Sequence, residues 1–244
     1  TARQFDTYIG SNPDLEAESS ETFSVGGEYA FMDGWVAGLS YFNLKVNNSI
    51  EYTSAQDQLN VDFQTGGNNP AVQRNSLGQV IEIAAGFQNG AAEFEYNGLD
   101  YVVRGRFETG YGDFNVSFNA SQYLEYSYEI TYGTGEMGDL VGALGFPEWR
   151  SNAYVNWNLN NWSANLALDY IGESKERIGD EKFDSWHTLS ASVAYNLDSM
   201  GIIKIGATNL TDEDPLLDET GQMADEYQYP LTGRVVYVDY TLEF

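Results

Sequence analysis

Trp162-Ser163-Ala164-Asn165-Leu166-Ala167-Leu168-Asp169-Tyr170 is the stretch that decides the fold. Trp162, Ala164, Leu166, Leu168 and Tyr170 alternate with Ser163, Asn165, Ala167 and Asp169. Successive side chains of a β-strand point to opposite faces. One face of this strand is therefore apolar with an aromatic ring at each end, and the other is polar or small.

The same two-sided pattern recurs over residues 22–31, 99–107, 114–120, 149–157, 189–197, 203–207 and 236–244. Residues 35–46 follow it less cleanly. Trp35, Ala37, Leu39 and Tyr41 keep one phase, Phe42, Leu44 and Val46 take the other, and a bulge near Tyr41–Phe42 would reconcile them. About nine strands result. Their connections alternate in length. Met32-Asp33-Gly34, Gly110-Tyr111-Gly112-Asp113, Asn158-Leu159-Asn160-Asn161 and Asp198-Ser199-Met200-Gly201 are short and carry the Gly, Asn or Asp that tight hairpins need. Residues 50–92, 130–146, 173–183 and 211–233 form long connections. Short turns at one rim and long loops at the other is the arrangement of an outer-membrane barrel, with the short turns periplasmic. Counting back from Phe244, every short turn falls on the C-terminal side, so the C-terminus is expected at the periplasmic rim.

The apolar phase carries no charge between its aromatic ends. Arg104, Arg106, Arg150, Asp100, Glu108, Asp169, Lys204 and Asp239 all sit on the opposite phase. A charged side chain at mid-bilayer costs about 2–4 kcal/mol, and amphipathic rings settle at headgroup level. The pattern predicts an all-β fold, an antiparallel transmembrane β-barrel segment of about nine up-and-down strands, rather than a soluble sandwich. Bacterial single-chain barrels have even strand numbers, and open edges find no partner in lipid. The segment is thus expected to be part of a larger barrel.

Composition narrows the rest. The formal net charge of −26 repels polyanions, so nucleic acid is excluded as a partner. There is no Cys and one His, His187, which leaves no His- or Cys-based metal site. No run of about 18 apolar residues is present, which excludes a transmembrane helix and not a barrel. Gly133 to Gly138 fits G-x-G-x-x-G, but a dinucleotide site needs a helix and a parallel βαβ unit after it. The acidic residues between 211 and 227 lack EF-hand spacing and read as a solvated loop. No Ser/His/Asp arrangement or paired-carboxylate cleft is recognisable, so no enzyme activity, cofactor or metal is expected.

Several motifs carry a family resemblance. Asn12-Pro13-Asp14-Leu15-Glu16-Ala17-Glu18 resembles the NPxLxxE lead-in to a late strand of TonB-dependent outer-membrane receptors. Residues 89–100 and the strand after them resemble that family's G-(I/L)-(D/E) strand. Pro147-Glu148-Trp149-Arg150 with Asn152 resembles its P-x-(W/H)-(R/K)-x-N start. Gly206-Ala207-Thr208-Asn209-Leu210-Thr211-Asp212 with Pro215 resembles its G-x-x-N-L-x-(D/N)-x-x-P signature. Gly233-Arg234 and Phe244 resemble its closing strand and C-terminal aromatic. Together these span nearly the whole chain in the family's order.

The resemblance implies that residues 1–244 are the C-terminal part of a 22-strand-type barrel, with the plug domain, the TonB box and the earlier strands not represented in this sequence. It implies uptake of a scarce nutrient (iron chelate, cobalamin, sugar or peptide) with energy relayed through TonB, contacts with outer-membrane lipid, and a partnership with the TonB complex through the N-terminal region. Tyr240, Leu242 and Phe244 would then form the C-terminal signal read by the barrel-assembly machinery. For the small ligand, aromatic and cationic groups of loops and upper lumen are the candidates: Tyr126, Tyr128, Tyr132, Arg150, Trp186, Tyr227 and Tyr229. Two other readings compete: a passive porin or adhesin-type barrel, and a soluble carbohydrate-binding β-module.

Overall fold

The computed structural model describes residues 6–10, 12–130, 134–176, 181–218, 225, 228–230 and 232–242. Nine long strands dominate it: β1 (Ser19–Met32), β2 (Trp35–Asn47), β3 (Phe94–Thr109), β4 (Gly112–Glu129), β5 (Trp149–Leu159), β6 (Trp162–Ile171), β7 (Trp186–Asn196), β8 (Ile202–Thr208) and β9 (Val235–Thr241). They lie side by side in chain order, and the ladders from β4 to β9 are antiparallel. The short strand Met137–Asp139 adds to β4. All nine expected strands are therefore present, and the predicted short turns join them. Asn160 takes a positive φ of 51° and Gly34 one of 75°, the left-handed backbone that two-residue hairpins require.

The chain divides into two compact units, residues 24–42, 97–124 and 140–244, and residues 1–23, 43–96 and 125–139. In the first of these, the wall shows its two faces clearly. Leu166 lies between Val155 and Ala191, while its neighbour Asn165 lies between Asn156 and Ser192. The polar phase is stitched by side chains: Asn119 donates to Asn152 (2.9 Å), Asn165 to Asn156 (2.8 Å), Ser121 to Asp100 (2.6 Å), and Arg104 pairs with Glu28. The apolar phase is left open, with Val236 and Val238 65% and 64% exposed. Water would penalise so continuous a patch, whereas lipid chains cover it at no such cost. At the short-turn end of this face the rings of Phe31, Trp35, Phe107 and Phe114 follow one another at 6.2, 6.0 and 5.0 Å. Trp162 and Tyr195 continue the belt at 4.7 Å.

Where a bulge was expected near Tyr41–Phe42, the contacts of Phe42 give its direction. Phe42 meets Tyr123 edge-on at 6.1 Å and lies over Gly98, all three on the polar phase. A side chain at Gly98 would collide with the Phe42 ring, so the glycine admits an aromatic where the alternation calls for a polar group.

Signature residues close the end of the wall. Asn209, in left-handed backbone, donates to the Glu213 carbonyl and accepts from the Glu213 N–H, both at 2.8 Å. Asp212 accepts from the Arg234 backbone (2.6 Å) and pairs with its guanidinium (3.5 Å). Gly206 leaves room for the Tyr237 ring, which the Lys204 ammonium approaches at 5.5 Å.

The other unit departs from expectation. Residues 50–92 are not a bare loop. Strands Ile50–Thr53 and Val72–Arg74 pair antiparallel with the strand Val80–Asn89, and Asp6–Gly10 pairs with it in parallel. Between them runs helix α1 (Ala55–Gln64), opened by a capping box in which Ser54 and Asp57 satisfy each other's backbone N–H groups. The helix buries Gln58 and Asp62 and leaves Phe63 exposed. Its apolar residues therefore show no helical stripe, which hides it from a periodicity reading. Asp62 pairs with Arg74 and accepts from the Asn69 N–H (3.2 Å), and Asn69 donates to Gln58 (2.8 Å). Gln58 in turn donates to Thr53 (3.1 Å). Asn12 donates to the Phe87 carbonyl (3.2 Å), and Glu16 and Glu18 accept from Asn48 and the Ile50 N–H. The NPxLxxE stretch thus fastens the lead-in of β1 to residues 48–50 and 87.

Candidate functional site

Cross-strand register builds the site. Ser121, Arg150, Ile171 and Trp186 form one row across β4 to β7, and Asn119, Asn152, Asp169 and Thr188 form another. All eight face the polar side, and with Gln228 and Pro230 from the last long loop they line a cavity of about 420 Å³. A second polar cavity, about 500 Å³, lies toward the short turns along Glu28, Arg104, Arg106, Asn115 and Asn156.

Charge singles out Arg150. Lys45, Arg74, Arg104, Arg106 and Arg234 each hold an ion pair, and Lys204 sits over Tyr237. Arg150, Lys175 and Lys182 have no ion pair among the described residues. A guanidinium offers several donors in a plane, suited to carboxylate, catecholate or phosphate oxygens.

Trp186 and Tyr229 pack against each other where the last long loop meets the strand ends. They meet at 5.5 Å and 67° and, with Ile171, form a small buried core against which Leu144 and Leu216 pack. The Trp186 indole donates to the Asp214 carbonyl at 2.9 Å. Only Trp186 reaches the cavity wall, since Tyr229 is 1% exposed. Burial pushes the Tyr229 phenol above its ordinary value of 10.0, with Asp225 adding to the rise and Ser174, Arg150 and Gln228 opposing it. The two rings hold the loops to the strand ends, and Trp186 also lines the cavity.

Tyr126 and Tyr128 belong to the other compact unit. The Tyr126 ring meets that of Tyr96 at 4.7 Å and 34°, and its N–H donates to Asp139 at 3.1 Å. Tyr128 is half-buried beside Gly138. Tyr132, Tyr227 and Phe244 lie outside the described residues, while Tyr240 donates to the Met200 carbonyl and Leu242 is exposed. His187 is exposed and faces Tyr170 across the β6–β7 ladder. The end of the G-x-G-x-x-G stretch lies in the strand Met137–Asp139, and no α-helix follows it among the described residues. Asn119, Asn152, Asp169 and Thr188 were not singled out from sequence as ligand-side residues, although their shared polar phase placed them on one face.

An up-and-down wall with an open apolar face, an aromatic belt and a stitched polar face defines a transmembrane β-barrel segment. The sequence pattern of the family described as "TonB dependent receptor-like, beta-barrel" matches residues 2–210, and the chain belongs to that family. It is a family of the bacterial outer membrane. No curated protein matches the chain. Among solved structures, a variant ferric enterobactin receptor of Pseudomonas aeruginosa in complex with enterobactin is similar, with a TM-score of 0.67 and 20% identity over 95% of this chain and 32% of that one. The siderophore receptor PirA of Acinetobacter baumannii gives 0.65 and 18%, over 94% and 32%. FpvA of P. aeruginosa bound to a pyoverdine gives 0.57 and 13%, over 92% and 27%. The chain spans about a third of the length of these structures.

Proposed function

We propose that this chain is the C-terminal portion of the barrel of an outer-membrane receptor that imports a scarce small nutrient with energy relayed through TonB. The observation that carries this reading is the cavity on the polar face, with Arg150, which has no ion pair among the described residues, in its wall, in a chain of this family. An anionic iron chelate is the first ligand class to test. Arg150 matches its charge, and proteins of the same fold are siderophore receptors. Cobalamin, sugars and peptides are the other classes. The short turns and the C-terminus face the periplasm in this reading, the long loops face outward, and TonB is engaged through a plug domain outside these residues.

In the intact receptor, Arg150→Gln is expected to weaken binding of an anionic ligand about tenfold or more, corresponding to the loss of one charge-assisted contact. Uptake by cells should cease when TonB is removed. Uptake that persists without TonB would turn the reading to a passive channel.

A further inference from the structure

A third cavity opens on the opposite, apolar phase of the wall. It measures about 640 Å³, and Trp149 and Tyr170 line it, both in the lipid-facing phase of β5 and β6. Tyr101 stacks on Trp149 at 5.5 Å and 28°, and its hydroxyl donates to Gln122 at 3.2 Å. Gln122 donates onward to Glu148 at 2.7 Å, which fixes the aromatic floor.

Over this floor stands a short hairpin, Ser174–Lys175 against Lys182–Phe183. Lys175 and Lys182 are directly opposite one another in its ladder. Like charges at that position destabilise a strand pair. The chain has 11 basic residues against 37 acidic ones, yet it places two ammoniums in register with no ion pair among the described residues. The backbone does not let them drift apart. The Lys175 backbone accepts from the Leu144 N–H (2.7 Å) and donates to the Gly142 carbonyl (2.9 Å), and Phe183, next to Lys182 in the hairpin, is buried. Glu148, Glu173 and Asp184 also line the cavity.

We infer that the opposed pair Lys175 and Lys182, above the Trp149–Tyr170 floor, binds the phosphorylated sugar headgroup of an outer-leaflet glycolipid. A phosphate between the ammoniums relieves their repulsion through charge-assisted hydrogen bonds. The aromatic floor offers a sugar ring an apolar face to lie on. The three carboxylates accept from sugar hydroxyls. A lipid is favoured over a free phosphate because the floor continues the lipid-facing stripe. The assignment to the outer leaflet rests on the proposed outward placement of the long loops.

The test uses the intact receptor in detergent, titrated with a phosphorylated glycolipid, its dephosphorylated form, and inorganic phosphate. The wild-type receptor should bind the phosphorylated glycolipid at least about tenfold more tightly than the Lys175→Gln/Lys182→Gln variant does. Dephosphorylated lipid should not distinguish the two. Without lipid, the variant should melt no lower than wild type, since it loses a repulsion. Equal glycolipid binding by both proteins overturns the site. So does full displacement of the lipid by inorganic phosphate at equal concentration, which would assign the lysines to a soluble anion. Labelling of Leu217→Cys, an exposed residue of the long connection 211–233 that does not line this cavity, on whole cells with an impermeant reagent tests placement separately. Absence of label with lipid binding retained rejects the outward orientation, whereas label with no lipid binding rejects the headgroup site.

Discussion

The nine-strand wall and the segment over residues 50–92 both invert the usual rule of apolar inside and polar outside, for opposite reasons. The wall leaves Leu166, Val193, Ile205 and Val238 exposed and turns Asn119, Asn152 and Asn165 to its stitched face. Its apolar solvent is supplied from outside. The segment leaves Phe63 at 87% exposure and buries Gln58, Asp62 and Asn69. Its buried polar groups are tolerated because each has a partner within the unit. One region is organised by the medium around it, the other by satisfied hydrogen bonds, and each should fail in its own way.

The largest effect is expected on the wall. Leu166→Arg places a charge in the middle of the lipid-facing phase and should cost about 2–4 kcal/mol of folding free energy in a bilayer. Asn165→Arg, one residue away on the polar phase, should cost about 1 kcal/mol, the worth of its bond to Asn156. Urea unfolding of the complete barrel in lipid vesicles measures both. Equal costs at the two positions would mean that the exposed apolar phase does not face lipid.

A smaller and local effect is expected in the other unit. Asp62 is 2% exposed and holds both Arg74 and the Asn69 N–H. Asp62→Ala should weaken the segment by about 1–3 kcal/mol, the penalty for leaving such partners unmet. Protease should then cut within residues 54–74, while the wall keeps its folded mobility in gels. Resistance equal to wild type would show that the network does not hold the helix.

The contrast also explains which features were readable from sequence. The strands were readable because lipid demands an uninterrupted apolar phase, so Trp162 to Tyr170 announces its faces without any knowledge of neighbours. Helix α1 was not, because Gln58 and Asp62 form its inner side and Phe63 its outer one. The Ser54–Asp57 capping box was the one local signal available. At the candidate site, Arg150 was readable from its polar phase. The burial of Trp186 and Tyr229 was not, since strand phase gives the direction of a side chain and says nothing of a loop folding over it. The parallel pairing of Asp6–Gly10 with residues 82–86 likewise joins segments far apart in the chain, which no periodicity encodes.

The smallest effect concerns that loop, where the wall's polar phase carries an apolar core of its own. Tyr229 has its phenol pushed above 10.0, with burial as the first cause. While the loop is closed, the phenol holds its proton; once the loop opens, it ionises near its ordinary value. The closed loop is therefore undiminished at neutral pH and loses stability only as pH climbs past 10.0 toward the raised value, because ionisation favours the open form. Tyr229→Phe should remove this alkaline sensitivity and keep the packing on Trp186. The tyrosinate absorbance of wild type minus that of the variant isolates the one group. A difference curve centred at or below 10.0 would mean that water reaches Tyr229, and that the core with Ile171 and Trp186 does not close over the strand ends as it does here.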